Sequence, residues 1–289
     1  MNQWRKDIAT WRIGETLYLS VPFTWLLERA EQVAGAWHGP VIAGGPAVSL
    51  MGCPGWAKMG KSPVEPLLFH NPCATFTTRG CPNCCAFCAV PKIEGEFREL
   101  PEWRHAPVIC DNNLLAASRK HIERVIESLK PFPACDFNQG LDARLFNAWH
   151  ADLITTLRNP MVRFSLDSNK DVDIVAMAIE RARTAGLKHI GVYVLIGYND
   201  TPDDARARLE FVRSMGIRPN PMRYQPLNAR HKNEYVAPGW TADELQRMTR
   251  YYSRLRWLEH IPYDDFEGGE EEQLELLAAS VGAGKGGDA

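Results

Sequence analysis

The sequence predicts an α/β fold: a partial, TIM-like (β/α)6 barrel of parallel strands with a small N-terminal α/β segment and a C-terminal helical extension. From residue 74 onwards, six short apolar runs alternate with helical patterns, which is typical of right-handed βαβ units. Polar residues follow these runs, at the strand ends where parallel barrels carry their active sites. Hydrophobic residues make up 45% of the 289 residues, enough for a buried core.

The N-terminal segment is predicted as a small βαβ unit followed by a linker or an ordered loop. Its elements are a strand at 16–23, an amphipathic helix at 25–37, a strand and glycine-containing turn at 40–50, and a Gly/Pro-rich stretch at 51–72. We therefore predict three regions, which are an N-terminal segment with its linker at 1–66, a core barrel at 67–230, and a C-terminal helix with an acidic tail at 231–289.

The barrel elements follow in order along the chain. The predicted strands are 74–78, 107–110, 134–138, 162–166, 189–196 and 223–226. The predicted helices are 118–129, 149–157, 171–185, 202–215 and 241–258. Ser118 is a predicted N-cap, and Gly186 and Gly216 stand where glycine commonly ends a helix.

Charge and hydropathy exclude some functional classes. The formal net charge is −2, so there is no global basic field to attract nucleic acid or an acidic membrane. No apolar run approaches the ~18 residues of a membrane span, and the polar start does not resemble a signal peptide. We expect a soluble, cytoplasmic protein without membrane contact.

Local charge is uneven near the C-terminus. The stretch from Arg218 to Arg256 contains eight Lys/Arg against three Asp/Glu, and the stretch from Trp257 to Ala289 contains nine Asp/Glu against one Lys. These stretches indicate either a solvated basic helix followed by an acidic tail, or an anion-attracting surface beside the active site.

Four of the eight cysteines lie within the segment TTRGCPNCCAFC, and three of them have the spacing C-x3-C-x2-C. In a cytoplasmic chain such crowding indicates metal or catalytic use. Cys81, Cys85 and Cys88 would ligate three irons of a [4Fe–4S] cluster and leave the fourth iron open. A zinc site is the weaker alternative, because Cys81 and Cys84 form only one C-x2-C half. Cys84 is predicted to be structural, or an alternative ligand if the register differs.

This loop resembles that of the radical S-adenosylmethionine (SAM) superfamily. The resemblance covers residues 73–228 and depends on the spacing, on the aromatic Phe87 before the last cysteine, and on the position after a first strand. The phrases RGCP and FCAVP are similar to the branch that contains cobalamin-dependent and methylthiotransferase-like members. The resemblance implies a [4Fe–4S] cluster, SAM as cofactor, and an electron donor such as a flavodoxin or a ferredoxin.

The resemblance also implies where SAM contacts lie, with an ordinary structural role as the alternative at each. The implied cofactor-binding residues are Phe87, Asp111, Asn112, Asn113, Gln139, Ser165, Asp167, Leu195, Gly197 and Gln225, and the implied catalytic residues are Arg144 and Tyr224. Asp111 to Asn113 replace the family's common Gly-Gly-Glu near the SAM amino group, and otherwise form a polar turn. Arg144 pairs either with a carboxylate of SAM or substrate, or with an acid at the start of a helix.

The implied activity is reductive cleavage of SAM to a 5′-deoxyadenosyl radical that abstracts hydrogen from a substrate. Because the sequence has no Asp-x-His-x-x-Gly element, we expect no cobalamin and favour rearrangement, elimination or epimerisation over methylation. A nucleobase or nucleotide substrate is an alternative that the basic stretch supports. A non-catalytic iron–sulfur or zinc module is a further alternative.

Overall fold

The computed structural model describes residues 4–53, 55–258 and 260–267, so most of the predicted acidic tail lies outside the described residues. The chain divides into two compact units. The first unit comprises Met1–Phe164, Ile174–Ile190 and Gln225–Glu234, and the second comprises Ser165–Asp173, Gly191–Tyr224 and Tyr235–Ala289. In the described part of the chain, no helix is long and apolar enough to cross a membrane.

The N-terminal segment contains a four-stranded sheet with the order β1-β2-β3-β4. Its strands are β1 Ala9–Ile13, β2 Thr16–Ser20, β3 Val41–Gly44 and β4 Lys58–Met59. Strands β2 and β3 are parallel and are connected through helix α1, Leu27–Gly35, which confirms the predicted βαβ unit. Strand β1, which forms an antiparallel hairpin with β2, was not predicted.

The turn after β3 begins a helix, α2, at Pro46–Met51, so the prediction that strand and turn alone fill this stretch was wrong. Gly45 has φ +96°, and Pro46 takes the first helical position, where its fixed φ favours the helix and no N–H is needed. The stretch predicted as a linker or an ordered loop contains β4 and α3, Leu67–His70. The ordered-loop alternative is therefore correct.

A six-stranded sheet forms the rest of the α/β framework, with the order β12-β11-β10-β9-β8-β5. Its strands are β5 Ala74–Thr75, β8 Val108–Ile109, β9 Cys135–Phe137, β10 Pro160–Leu166, β11 His189–Ile196 and β12 Pro219–Arg223. The pairs β5–β8, β8–β9, β9–β10 and β11–β12 are parallel, as the alternating pattern predicted. Because β12 and β5 stand at opposite edges, the sheet is not a closed barrel.

Helices follow the strands as predicted, with small shifts at their ends. They are α5 Arg119–Leu129, α6 Ala148–Thr155, α7 Val172–Thr184, α8 Pro202–Ser214, α9 Ala242–Ser253 and α10 Leu255–Leu258. The Ser118 hydroxyl accepts a hydrogen bond from the backbone N–H of His121, which confirms the predicted N-cap. Gly186 and Gly216 both have positive φ, which is why helices α7 and α8 end there.

Three predicted elements differ from the structure. The strand predicted at 74–78 is β5 at Ala74–Thr75 and ends three residues early. The sixth strand is β12 at Pro219–Arg223, whereas the sequence placed it at 223–226. Two of its five residues are proline, which a sheet tolerates at an edge, and β12 is an edge strand. The single final helix predicted at 241–258 is two helices, because Arg254 leaves helical geometry between α9 and α10.

Candidate functional site

The cysteine loop lies in the first unit, between a short antiparallel ribbon and a one-turn helix. Strand β6, Thr78–Arg79, leads into the loop and pairs with β7, Arg98–Glu99. Helix α4, Val90–Ile93, follows the loop. The three predicted ligand cysteines are half-buried, whereas Cys84 is exposed. Cys84 thus differs from the other three in exposure, and its role as a structural residue or an alternative ligand stays a prediction.

Amide groups point at two of the three predicted ligand sulfurs. The backbone N–H of Asn83 donates to the Cys81 sulfur over 3.4 Å, and the backbone N–H of Val90 donates to the Cys88 sulfur over 3.5 Å. The Cys88 N–H closes a turn onto the Cys85 carbonyl. Hydrogen bonds to sulfur stabilise the thiolate, which is the form that ligates metal.

Glu94 follows the cysteine loop and contacts the residues that precede it through hydrogen bonds and an ion pair. Its carboxylate accepts from the backbone N–H of Gly80 over 2.7 Å and from the Asn112 side chain over 2.9 Å, and it pairs with Arg79 over 2.9 Å. Gly80 has φ +75°, and a Cβ there would lie 2.8 Å from the Gly95 carbonyl oxygen. The residue before Cys81 therefore has to be glycine, and the loop cannot move away from Glu94 without loss of a buried contact.

Asp111 supports the strand that enters the loop. Its buried carboxylate accepts from the backbone N–H groups of Thr77 and Thr78 over 2.6 and 2.9 Å, and from the Thr77 hydroxyl. Burial raises the pKa of Asp111 to about 6, against the opposing effect of these hydrogen bonds. The predicted cofactor-binding Asp111 is thus engaged in positioning the backbone that leads into the cysteine loop.

A second carboxylate, Asp142, connects the loop to the segment after β9. It accepts from the side-chain amides of Asn83 and Asn113 over 2.8 and 3.1 Å, and Arg144 binds both of its oxygens over 2.8 Å. Burial alone would raise the pKa of Asp142, but the hydrogen bonds from Arg144 and Asn83 and the Arg144 charge lower it below its ordinary value. Arg144 is thus held by an acid, as the structural alternative predicted, but this acid lies in the turn before α6 and not at the start of a helix.

The donor set fits an iron–sulfur cluster in its chemistry. Among the described residues, no three His, Cys, Asp or Glu side chains form a group that would hold a single metal ion. Ligands of a cubane bind different irons and stand farther apart than ligands of one ion. Asn113 is 2% exposed, and its carboxamide oxygen has no hydrogen-bond partner in the described part of the chain. A buried acceptor of this kind beside Cys81 suits a positively charged ligand group.

The remaining predicted residues of the first unit lie apart from these contacts. Phe87 is half-buried within the cysteine loop, and Gln139 is exposed in the turn after β9. Gln225 exchanges two hydrogen bonds with Asn233, over 3.0 and 3.1 Å. Their cofactor roles stay predictions.

In the second unit, the predicted residues at the ends of β10 and β11 have different surroundings. Ser165 is exposed between buried neighbours and Asp167 is half-buried, which agrees with their predicted strand-end position. The Leu195 carbonyl accepts from the buried Arg208 over 2.7 Å. Gly197 has φ +75°, and its backbone packs closely against the Leu245 side chain of α9. A Cβ at this position would lie 2.9 Å from that side chain.

Asp200 and Tyr224 organise the end of β11 in the second unit. Asp200 pairs with Arg208 and accepts from the indole N–H of Trp240 over 3.1 Å, so its carboxylate is buried in structural contacts. The Tyr224 ring contacts Tyr198 and Tyr235, with centroids 4.7 and 5.4 Å away. Burial raises the pKa of Tyr224. The three tyrosines form an aromatic cluster that sequence reasoning did not identify.

The basic stretch is partly used inside the protein. Arg223 donates to the Tyr235 carbonyl over 2.8 Å, and Arg247 donates to carbonyls of Tyr263 and Phe266. Arg230, His231 and Lys232 are exposed. Arg223 and Arg247 are therefore engaged with main-chain carbonyls. Both interpretations of the stretch, a solvated basic helix or an anion-attracting surface, stay predictions.

Sequence reasoning did not identify Glu94 and Asn83 as site residues. Glu94 follows a one-turn helix and lacks any motif, and its partners become visible only once β6 and β7 pair. Asn83 lies inside the cysteine motif at a position for which the C-x3-C-x2-C spacing specifies no residue. No sequence pattern distinguishes either residue from an ordinary surface side chain.

Comparison with protein-family models and with curated proteins found no match to this chain. Function is therefore inferred from the cysteine loop and the side chains around it.

Proposed function

We propose that this chain is a radical SAM enzyme in which Cys81, Cys85 and Cys88 hold one [4Fe–4S] cluster. The observation that supports this proposal is a single loop with three half-buried thiols. Backbone N–H groups in this loop donate to the sulfurs of Cys81 and Cys88. When bound, the cluster and SAM would supply reductive cleavage of the sulfonium to a 5′-deoxyadenosyl radical that abstracts hydrogen from substrate.

The chain's own residues orient these groups. The Asn113 carboxamide oxygen, which has no partner in the described part of the chain, would accept from the ammonium of SAM, where the family's common motif has a glutamate. Asp111 and Glu94 hold the backbone that enters the loop. Arg144 is the proposed carboxylate partner, and it would have to share its guanidinium with Asp142. Tyr224 keeps its proposed catalytic role at the strand end of β12.

The proposal includes a cytoplasmic location, an electron donor of the flavodoxin or ferredoxin type, and a six-stranded sheet that curves as an open (β/α)6 barrel. The favoured reaction is rearrangement, elimination or epimerisation of a small or carrier-bound substrate, without cobalamin. A nucleobase is the second candidate substrate. The cluster of Tyr198, Tyr224 and Tyr235 favours it, because base faces stack on aromatic rings.

The first experiment is anaerobic reconstitution with iron and sulfide, followed by dithionite and SAM. We expect 5′-deoxyadenosine and methionine in equal amounts. A cluster that forms but cleaves no SAM, and whose EPR signal does not change when SAM is added, would contradict the proposal and favour the non-catalytic module. Nucleosides, DNA and RNA are then compared with small molecules for their effect on the yield.

The ligand assignment has a matched pair of variants in adjacent residues. Cys85→Ala should lose bound iron and the cluster's absorbance, whereas Cys84→Ala should keep both, because only Cys84 of the four crowded cysteines is exposed. Iron content and visible absorbance after reconstitution measure this difference. The reverse result would move the ligand register to Cys84.

A further inference from the structure

The side chain of Asn113 makes a contact that the proposed chemistry alone does not require. One N–H of its carboxamide faces the Cys81 sulfur, with 3.8 Å between nitrogen and sulfur, and the same nitrogen donates to Asp142 over 3.1 Å. The Cys81 sulfur also accepts from the backbone of Asn83. Cys81 thus receives one main-chain and one side-chain donor.

Asp142 determines which end of the Asn113 amide faces the sulfur. An ionised carboxylate only accepts hydrogen bonds, so a rotated amide would place two oxygens against each other. Asp142 stays ionised because Arg144 binds both of its oxygens and Asn83 donates to one. The orientation of the Asn113 amide is therefore set by a charge pair and not by the sulfur itself.

We propose that Asn113 is a positioning residue that donates to the Cys81 thiolate and thereby raises the reduction potential of the cluster. This inference rests on the proposed function. Hydrogen bonds to cluster sulfurs are one of the levers that set iron–sulfur potentials. Added electron density on reduction makes the sulfur a better acceptor, so the contact stabilises the reduced form more than the oxidised form.

The test replaces Asn113 by leucine, which has a similar shape and no donor, and by alanine as a second variant. If Asn113 contributes one ordinary hydrogen bond to the reduced cluster, its loss should lower the ratio of reduced to oxidised cluster about fivefold at a fixed potential. For one electron this ratio corresponds to a midpoint about 40 mV more negative. Redox titration followed by EPR measures the midpoint, with iron and sulfide content determined on the same samples.

Asn71→Leu is the matched control, because Asn71 is an equally buried asparagine of the same unit, 1% exposed, whose oxygen accepts from the Cys73 backbone. The control should keep the wild-type midpoint. An unchanged midpoint in both Asn113 variants with full iron content would overturn the inference and leave the proposed function intact. Loss of the cluster in both variants would show a purely structural role. A wild-type protein that assembles no cluster would overturn the proposed function as well.

Discussion

Removal of the Glu94 carboxylate should weaken the protein even without any cluster, because Glu94 closes the cysteine loop. The carboxylate is 7% exposed and holds the Gly80 backbone, the Asn112 side chain and Arg79. Glu94→Ala removes all three contacts, whereas Glu94→Gln keeps an acceptor for Gly80 and loses the charge that faces Arg79. The two variants therefore separate hydrogen bonding from charge pairing.

The magnitude follows from the kind of contact that is lost. Hydrogen bonds to a charged group contribute about 1.5–3 kcal/mol each, and loss of one partner from a buried ion pair costs about 3–5 kcal/mol. Arg79 is 29% exposed, so water recovers part of its loss. We expect Glu94→Ala to lower the free energy of unfolding by about 3–4 kcal/mol and Glu94→Gln by about half as much.

Urea unfolding of the metal-free protein, followed by circular dichroism, measures this difference. Glu96→Ala is the control, since Glu96 is an exposed glutamate two residues away, and its replacement should change stability by less than about 0.5 kcal/mol. Hydrogen exchange at the Gly80 amide should speed up in Glu94→Ala alone. The reasoning is refuted if Glu94→Ala and Glu96→Ala unfold at the same urea concentration.

Three further predictions concern other parts of the structure. Gly80→Ala should cost about 2 kcal/mol, seen as a lower melting temperature, because φ +75° is strained for alanine and the new Cβ would contact the Glu96 carbonyl. Because burial raises the pKa of Asp111 to about 6, the folded protein holds that proton longer than the unfolded chain does, and stability should fall as the pH rises from about 4 to about 6. Asp111→Asn should flatten this dependence in urea titrations at a series of pH values. Arg208→Leu should cost about 3–5 kcal/mol of unfolding free energy because it leaves Asp200 buried without its cation, and the double variant with Asp200→Leu should recover part of the loss.

The elements of the fold that the sequence predicted well are those with local signals. A short apolar run identified β11 with its correct ends, and the Ser118 cap and Gly186 stop identified the limits of two helices. Local signals failed where a residue's usual preference was overridden. The prolines of β12 argued against a strand, and only its edge position makes them acceptable.

The sequence predicted where the candidate site lies, from the spacing of three cysteines together with Phe87 and the preceding strand, and their role as ligands stays a prediction. It did not predict the residues that hold the loop. The carboxylates that hold the loop depend on contacts between residues distant in the chain: Glu94 meets Gly80 across 14 positions, Asn113 meets Asp142 across 29, and Asn83 meets Asp142 across 59. Such pairs become neighbours only when the strands pair, and a single sequence carries no signal for them.

The three carboxylates around the loop differ in how their charge is compensated. Glu94 is paired with Arg79 and Asp142 with Arg144, while burial of Asp111 favours its neutral form. Uncompensated carboxylates at this range would repel the negative charge of a cluster held by thiolates and would make its reduction harder. Glu94 and Asp142 can therefore fix parts of the loop by hydrogen bonds without adding a net negative charge beside the sulfurs. Asp111 has no such cation, and with a pKa of about 6 it carries its charge once the pH rises above that value. We therefore expect Asp111 to be the acid near the loop whose charge most opposes reduction of the proposed cluster at neutral pH.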